Sequence, residues 1–120
     1  MDNSSGPLGE RIAAEYLQAA GYGVVCRNYR TRFGEIDIVA ADSRFLVFAE
    51  VKTREENALA DPVEFVTPAK RKKLVRAAML YLQKFPTELQ PRFDVIGIVL
   101  KGSRHTVRHI ENAFEAGGFF

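Results

Sequence analysis

The sequence predicts an α/β domain with one central mixed β-sheet flanked by helices. Three observations support this prediction. Two segments have the apolar spacing of amphipathic helices, five short segments are rich in β-branched and aromatic residues, and their order is α-β-β-β-α-β-β. A strand meander followed by a helix and a further strand is typical of a sheet with one crossover connection. The chain has 120 residues, so we expect a single domain over 1–120, flexible at 1–5 and 115–120.

The two helices are predicted from their apolar spacing and from the residues at their ends. The first covers residues 8–20, with Ser5 as a candidate N-cap and Gly21 as the stop. The second covers residues 67–85 and begins at Thr67-Pro68, an N-cap followed by a proline that suits the first helical turn.

The strands are predicted from runs of β-branched and aromatic residues bounded by turn residues. The stretch 53–66, between the third strand and the second helix, is polar and is predicted to be irregular. The predicted strands cover residues 22–30, 34–40, 45–52, 92–100 and 105–110.

Composition excludes several classes of protein. With 47% hydrophobic and 27% charged residues and a net charge of +2, the chain is neither disordered nor fibrous. Its apolar runs are far shorter than the ~20 residues of a membrane span, and its start lacks the pattern of a signal peptide. We therefore expect a cytoplasmic protein with no membrane partner and no small-molecule cofactor. The one cysteine, Cys26, is expected to be a small buried hydrophobe.

The predicted hairpin between the second and third strands gathers charged residues on one face. A two-residue turn at Ser43-Arg44, or a four-residue loop around it, places Asp37 across from Glu50 and Glu35 across from Lys52. Opposed carboxylates repel each other, and carboxylates in buried strands are costly without a partner. The pattern therefore predicts a site for a hard divalent cation, Mg²⁺ or Mn²⁺, with Lys52 beside it to orient water or to stabilise phosphoryl charge.

A plainer interpretation of the hairpin stays open at this point. Glu35 and Lys52 also fit a cross-strand ion pair, and Asp37 fits a surface charge on a solvated face. In either case strand alternation predicts that Ile36 and Ile38 point together to the opposite face.

Basic residues crowd the second predicted helix, which has no acid between Thr67 and Pro86. Lys70 lies one turn before Leu74 and is expected to face the sheet, whereas Lys72 and Arg76 are expected to face solvent. The helix either contacts nucleic-acid phosphates or is simply solvated. Its basic residues are Lys70, Arg71, Lys72, Lys73, Arg76 and Lys84.

A second basic stretch interleaves Arg30 and Arg32 with Tyr29 and Phe33. The arginines are candidates for contacts with nucleic acid. The aromatic rings fit either stacking on unpaired bases or packing in the core.

Four residues near the end of the chain are assigned no catalytic function. His105 and His109 are spaced for a helical metal site, but their segment is a predicted strand without a third ligand, so zinc is not expected. Arg92 and Asp94 are expected to pair with each other or with a neighbouring strand.

Several segments together resemble a known family. GEIDIVA and FAEVKTR, within the order α-β-β-β-α-β, resemble the PD-(D/E)xK nuclease superfamily, which implies a restriction-endonuclease-like fold. GPLGERIAAEYLQAAGY, RNYRTRFGEIDIVA, the Lys-rich helix and RFDVIGIV resemble more closely the bacterial family typified by YraN. The resemblance covers residues 6–114.

The resemblance implies functional residues. Asp37 and Glu50 match the metal ligands, with the Val51 carbonyl as a further ligand, and Lys52 matches the catalytic lysine. Glu10 matches the first-helix glutamate that completes the acidic site in the resolvase-like branch.

Two positions depart from the superfamily pattern or extend it. The motif is Ile36-Asp37 without a proline, and Glu35 adds a third carboxylate on the same face. Glu35 fits a ligand, a partner for Lys52 or a brake on its charge. Lys70 matches the helical residue that assists in the superfamily.

The predicted function is therefore a Mg²⁺-dependent DNA endonuclease. Its similarity to archaeal Holliday-junction resolvases implies branched or junction DNA as substrate and a homodimer as the assembly. The alternative is a catalytically silent DNA-binding or adaptor module that keeps the nuclease fold.

Overall fold

The computed structural model describes residues 6–56 and 66–116. The predicted N-cap Ser5 and most of the predicted irregular stretch, residues 57–65, lie outside the described residues, as do the ends 1–5 and 117–120. None of the described helices is long and apolar enough to cross a membrane. The elements are α1 (Gly6–Ala19), β1 (Gly23–Thr31), β2 (Gly34–Ala41), β3 (Phe45–Glu55), α2 (Pro68–Lys84), β4 (Gln90–Lys101) and β5 (Arg104–Ile110).

The strands form one five-stranded sheet in the order β1-β2-β3-β4-β5. Neighbouring strands are antiparallel except β3 and β4, which are parallel and joined through α2. This mixed sheet confirms the predicted α/β class and element order, and it agrees with a restriction-endonuclease-like fold. The prediction of irregular chain from residue 53 is wrong for 53–55, because β3 pairs with β4 as far as Glu55.

Each helix covers one face of the sheet. The α1-side core contains Ile12 and Leu17 of α1, and the α2-side core contains Leu74 and Tyr81 of α2. The amphipathic spacing produces this arrangement, since each helix buries one stripe. Phe85 is the C-cap residue of α2 and is 44% exposed, and its ring centre lies 4.9 Å from that of Tyr81.

The ends of the helices follow the local sequence. Thr67 caps α2, its side chain accepting a hydrogen bond from the Lys70 N–H at 3.2 Å. Gly21 ends α1 in a left-handed conformation (φ 99°), which an L-residue with a side chain adopts only at a cost. Both predicted end signals are confirmed.

A close approach between α1 and β3 positions the first turns of the helix. A Cβ atom at Gly9 would overlap the Thr53 hydroxyl oxygen, so only glycine permits this spacing. Gly9 precedes Glu10, and the close packing therefore holds the Glu10 backbone against the end of β3.

Strand alternation is interrupted at Asp37. Ile36 belongs to the α2-side core and Ile38 to the α1-side core, so the prediction that they share a face is wrong. The residue opposite Asp37 in the β1–β2 register is Asn28, whose backbone is left-handed (φ 55°). This irregularity turns β2 between the two faces, where Asp37 is within reach of groups from both helices.

Candidate functional site

The β2–β3 hairpin has the predicted register. The ladder runs from Ala41↔Leu46 to Ile38↔Ala49, and the Asp42 N–H donates to the Phe45 carbonyl at 3.1 Å across a two-residue turn. This register brings Asp37 and Glu50 to the same end of the ladder.

Beyond the last residue pair of this ladder, the Asp37 side chain forms a hydrogen bond with the backbone of β3. The Val51 N–H donates to Asp37 Oδ2 at 2.8 Å. Asp37 is therefore held in the gap between β2 and β3, and it is buried. The interpretation of Asp37 as a solvated surface charge is wrong, because the irregular strand turns it inward.

Three carboxylates converge beside this gap, and we call them the acidic cluster: Glu10, Glu35 and Asp37. Each offers an oxygen, and these oxygens lie within 4.8 Å of one another. Glu10 and Asp37 are buried, whereas the Glu35 side chain is 34% exposed. The acidic cluster thus includes Glu35, for which the sequence left open a ligand, a partner for Lys52 or a brake on its charge.

Glu50 faces the cluster through a different set of contacts. Its Oε2 lies 2.9 Å from Lys70 Nζ and 3.6 Å from Lys52 Nζ. Lys70 approaches from α2, as its helical spacing predicted. Glu50 and Lys52 are buried, so their charges interact in a medium of low dielectric.

The electrostatic consequence falls on Asp37. Burial raises its pKa, the charges of Glu50 and Glu10 raise it further, and the Val51 N–H and Lys70 lower it, with a net pKa of about 8. Like charges in a shared buried site raise a pKa in this way. Burial and the neighbouring carboxylates therefore favour the protonated form of Asp37.

The donor set fits a hard divalent cation. Its oxygens come from carboxylates, which suit Mg²⁺ and Mn²⁺ better than softer metals. Glu10, Glu35 and Asp37 would hold the ion, and Glu50 lies near enough to Asp37 to repel its charge. The Val51 N–H supports Asp37, and the Val51 carbonyl stays a predicted ligand.

Two arginines of β1 border the acidic cluster. Arg27 lies 3.8 Å from Glu10, and Arg30 forms a 3.1 Å ion pair with Glu35, its partner in the β1–β2 register. Arg30 is 85% exposed. The predicted pairing of Glu35 with Lys52 lies beyond the end of the β2–β3 ladder and stays a prediction.

A cavity of about 80 Å³ opens beside Glu50. Basic and acidic side chains meet there at the start of α2, next to the β1–β2 turn. It is lined by Phe33, Gly34, Glu35, Glu50, Lys70, Lys73 and Leu74.

The remaining basic residues of α2 have different surroundings. Lys72 and Lys73 are exposed, as is Lys84 at the far end of the helix. Arg71 instead donates to the Val66 carbonyl at 2.8 Å and lies 5.5 Å from the Phe114 ring, so it anchors the helix to the C-terminal segment.

Arg32 and Arg76 do not join the acidic cluster. Both lie against the Phe33 ring beside the β1–β2 turn. Arg76 is half-buried, so the expectation that it points fully into solvent is wrong.

A second buried polar group lies on the α1 side of the sheet. Arg92 donates two hydrogen bonds to Asp94, at 2.9 and 2.8 Å, and a third to the Tyr22 hydroxyl at 2.7 Å. His109 Nε2 lies 2.7 Å from Asp94 Oδ2, and its Nδ1 lies 3.0 Å from the Tyr16 hydroxyl. The expected pairing of Arg92 with Asp94 is confirmed.

Asp94 is fully buried but electrostatically satisfied. Burial by itself raises its pKa, but hydrogen bonds from His109, Arg92 and the Asn112 N–H offset this, and the net pKa lies below the ordinary value. The sequence did not indicate that His109 contacts both Asp94 and Tyr16. His109 and Tyr16 are 93 residues apart, and no spacing pattern links them.

Comparison with known proteins places the chain in a family. The model described as "Uncharacterised protein family UPF0102" matches residues 9–98. The chain belongs to UPF0102. The UPF0102 protein of Symbiobacterium thermophilum is 46% identical over 118 residues, which are 97% of this chain and all of that protein.

Other UPF0102 relatives span similar lengths. The protein of Chlorobium chlorochromatii is 44% identical over 91% of this chain and 89% of its own length. That of Clostridium botulinum is 42% identical over 92% of this chain and 93% of its own length. The predicted relationship to the YraN-like family is thereby confirmed, and the match includes both Glu10 and the whole hairpin.

Proposed function

We propose that this UPF0102 protein is a metal-dependent nuclease that hydrolyses phosphodiester bonds in DNA. The observation that carries the proposal is the convergence of Glu10, Glu35 and Asp37 within 4.8 Å, next to the buried Glu50–Lys52 pair. Burial and the charges of Glu50 and Glu10 raise the pKa of Asp37, so folding stability does not explain an aspartate at this position. The arrangement is explained if the site binds a cation during function.

Mg²⁺ or Mn²⁺, when bound, would supply Lewis acidity toward a phosphoryl oxygen and a water of lowered pKa. The chain's own residues supply position and charge. Glu10, Glu35 and Asp37 would hold the ion, and the Val51 N–H fixes the orientation of the Asp37 carboxylate. The rigid sheet gives these ligands the fixed geometry that catalysis requires.

The two lysines have separate tasks in this proposal. Lys52 is buried beside Glu50, where it would orient the attacking water and stabilise charge that develops on the phosphoryl group. Lys70 is 32% exposed, so it would exchange its ion pair with Glu50 for a phosphate oxygen of the substrate. This exchange would free Glu50 to act toward the cation.

The basic surface beside the site supports a polyanionic substrate. Lys70 and Lys73, one helical turn apart, line the 80 Å³ cavity next to Glu50. Cations grouped on one face bind the phosphate backbone without regard to sequence. DNA, including branched and junction forms, is the proposed substrate, and a homodimer is the proposed assembly on a symmetric junction.

The decisive experiment compares cleavage of labelled duplex, single-stranded, nicked and four-way junction DNA in Mg²⁺, in Mn²⁺ and in EDTA. We expect metal-dependent cleavage, and a loss on the order of 10²- to 10³-fold in Lys52→Met and in Glu50→Gln. Glu55→Gln is the matched control, because Glu55 is an exposed carboxylate at the end of the same strand.

Two outcomes contradict the proposal. If the wild-type protein cleaves none of these DNAs, or if the variants cleave as fast as the wild type, the site is not a nuclease centre. DNA binding that is salt-sensitive but unaffected by Glu50→Gln, without cleavage, would indicate the catalytically silent module.

A further inference from the structure

The β1–β2 turn presents an aromatic ring next to the acidic cluster. Thr31 holds this turn, since its hydroxyl accepts from the Phe33 N–H at 3.0 Å and donates to the Gly34 carbonyl at 2.9 Å. Gly34 follows with φ 142°, a conformation that favours glycine. The position of Phe33 is therefore fixed by the turn as well as by packing.

A second cavity, of about 290 Å³, is also lined by Phe33, and we call it the Phe33 cavity. Its α2 wall is one helical face that combines a cation, two apolar side chains and an amide. It is lined by Arg32, Phe33, Arg76, Met79, Leu80 and Gln83. A pocket with an aromatic ring, apolar walls and a few polar groups matches the chemistry of a nucleobase.

The charge of the Phe33 cavity complements a nucleic-acid strand. The guanidinium carbons of Arg32 and Arg76 lie 5.0 and 5.6 Å from the centre of the Phe33 ring. Within 6–56 and 66–116, neither arginine has a carboxylate partner. A base that stacks on this ring would displace a guanidinium group from the ring face, and the displaced group would then bind a phosphate of the same strand.

Phe33 also lines the 80 Å³ cavity that contains Glu50 and Lys70. The two cavities therefore adjoin at this ring. Along α2, Lys73 of the first cavity and Leu80 of the second are separated by a helical rise of about 10 Å. That is roughly three base-stacking rises along one DNA strand, so one strand can reach both cavities.

We propose that the Phe33 cavity binds an unpaired base of a DNA strand whose scissile phosphate, about three nucleotides away, lies at the acidic cluster. This inference rests on the proposed nuclease function and names its substrate class as DNA with unpaired nucleotides beside the scissile bond, such as forks and flaps. Continuous duplex fits poorly, because stacking and pairing already occupy the faces and edges of each base. Phe33 selects the substrate, and Arg32 and Arg76 hold its backbone.

Binding in EDTA tests the cavity separately from catalysis. We would measure the anisotropy of a fluorescent fork and of a fully paired duplex of equal length, with 2-aminopurine next to the branch point as a stacking probe. Phe33→Leu keeps the apolar volume but removes the aromatic face, and Phe33→Tyr keeps the face. Phe85→Leu is the matched control. Phe85 is an exposed phenylalanine at the C-terminal end of α2, and it lines neither cavity.

We expect the wild type to prefer the fork, and Phe33→Leu to weaken fork binding about tenfold while duplex binding stays within about twofold. Phe33→Tyr should keep the preference and the 2-aminopurine quenching, and Phe85→Leu should change neither. If Phe33→Leu does not fold, Arg76→Gln provides the test, with a smaller loss again confined to the fork.

Other results would overturn the inference. One is that Phe33→Leu weakens binding to the fork and to the duplex equally. The others are that Phe33→Leu binds the fork as tightly as the wild type does, or that the wild type does not prefer the fork. The nuclease proposal fails separately: a wild type that binds the fork through Phe33 but never cleaves in Mg²⁺ or Mn²⁺ contradicts catalysis and leaves the base-binding cavity standing. If Phe33→Leu changes neither metal-dependent cleavage nor fork preference, only the proposal of base binding in the Phe33 cavity is contradicted.

Discussion

Asp37 and Asp94 are both buried aspartates of the same sheet, yet their pKa values move in opposite directions. Asp94 accepts hydrogen bonds from Arg92, His109 and the Asn112 N–H, and its pKa is lowered. Asp37 accepts one backbone hydrogen bond and faces other carboxylates, and its pKa rises to about 8. Burial is common to both residues, so the partners make the difference.

The comparison separates a structural carboxylate from a candidate functional one. The donors around Asp94 make its ionised form part of the folded state. In the acidic cluster Arg27 and Arg30 lie beside Glu10 and Glu35, but burial and the charges of Glu50 and Glu10 still raise the pKa of Asp37. Strongly perturbed groups of this second kind concentrate at functional sites.

The largest expected effect comes from the same substitution at the two aspartates. Asp94→Asn removes the charge that holds buried Arg92, and we expect a loss of about 3–5 kcal/mol in the free energy of unfolding. Asp37→Asn should be neutral or stabilising at pH 8, because an amide relieves repulsion and still accepts from the Val51 N–H. Chemical denaturation measures both values, and a larger loss at Asp37 would reverse the comparison.

Metal binding should stabilise the protein through the acidic cluster alone. At a Mn²⁺ concentration 100 times the dissociation constant, we expect about 2.7 kcal/mol of added stability. Thermal unfolding in Mn²⁺ and in EDTA measures this gain. It should be absent in Asp37→Asn and retained in Glu55→Gln. A gain that survives Asp37→Asn would place the ion elsewhere.

The metal-free protein should lose stability as the pH rises through the window set by Asp37. The pKa of Asp37 is about 8 in the folded protein, against an ordinary value of 3.8. Between about pH 4 and pH 8, therefore, the folded protein holds a proton that the unfolded chain releases. Raising the pH from about 4 to 8 therefore lowers the free energy of unfolding, by at most about 1.4 kcal/mol per pH unit.

Denaturation in EDTA across this pH range tests the prediction, with Asp37→Asn as the control that lacks the titrating group. The difference between the two proteins should grow toward pH 8 and then become constant. A constant difference throughout the range would show that Asp37 is already ionised in the fold.

The smallest expected effect concerns the basic surface. Lys73→Ala should weaken DNA binding modestly and reduce the slope of log affinity against log salt by about 0.9 for duplex DNA, since one phosphate contact is lost. Lys101→Ala removes the same charge at the β4–β5 turn and should leave the slope unchanged. Equal effects of the two substitutions would indicate a response to net charge only.

The sequence alone determined the element order, the end of α1, the start of α2 and the hairpin register. These features depend on local patterns: apolar spacing, Thr67-Pro68 at a helix start, Gly21 at a helix end, and a short turn at Ser43-Arg44. The register then brought Asp37 and Glu50 together without any knowledge of the remaining chain. Lys70 was placed correctly for the same reason, because one helical turn fixes its direction relative to Leu74.

Only the tertiary structure decided which charged side chains contact one another. Strand alternation predicted Ile36 and Ile38 on one face, but they lie in opposite cores, and packing of α1 brings Glu10 within 4.8 Å of Glu35 and Asp37. The His109–Asp94 contact and the shared ring of Phe33 likewise join elements distant in the chain. Local patterns fix the direction of each side chain within its element, whereas packing fixes which side chains meet and therefore which charges are compensated.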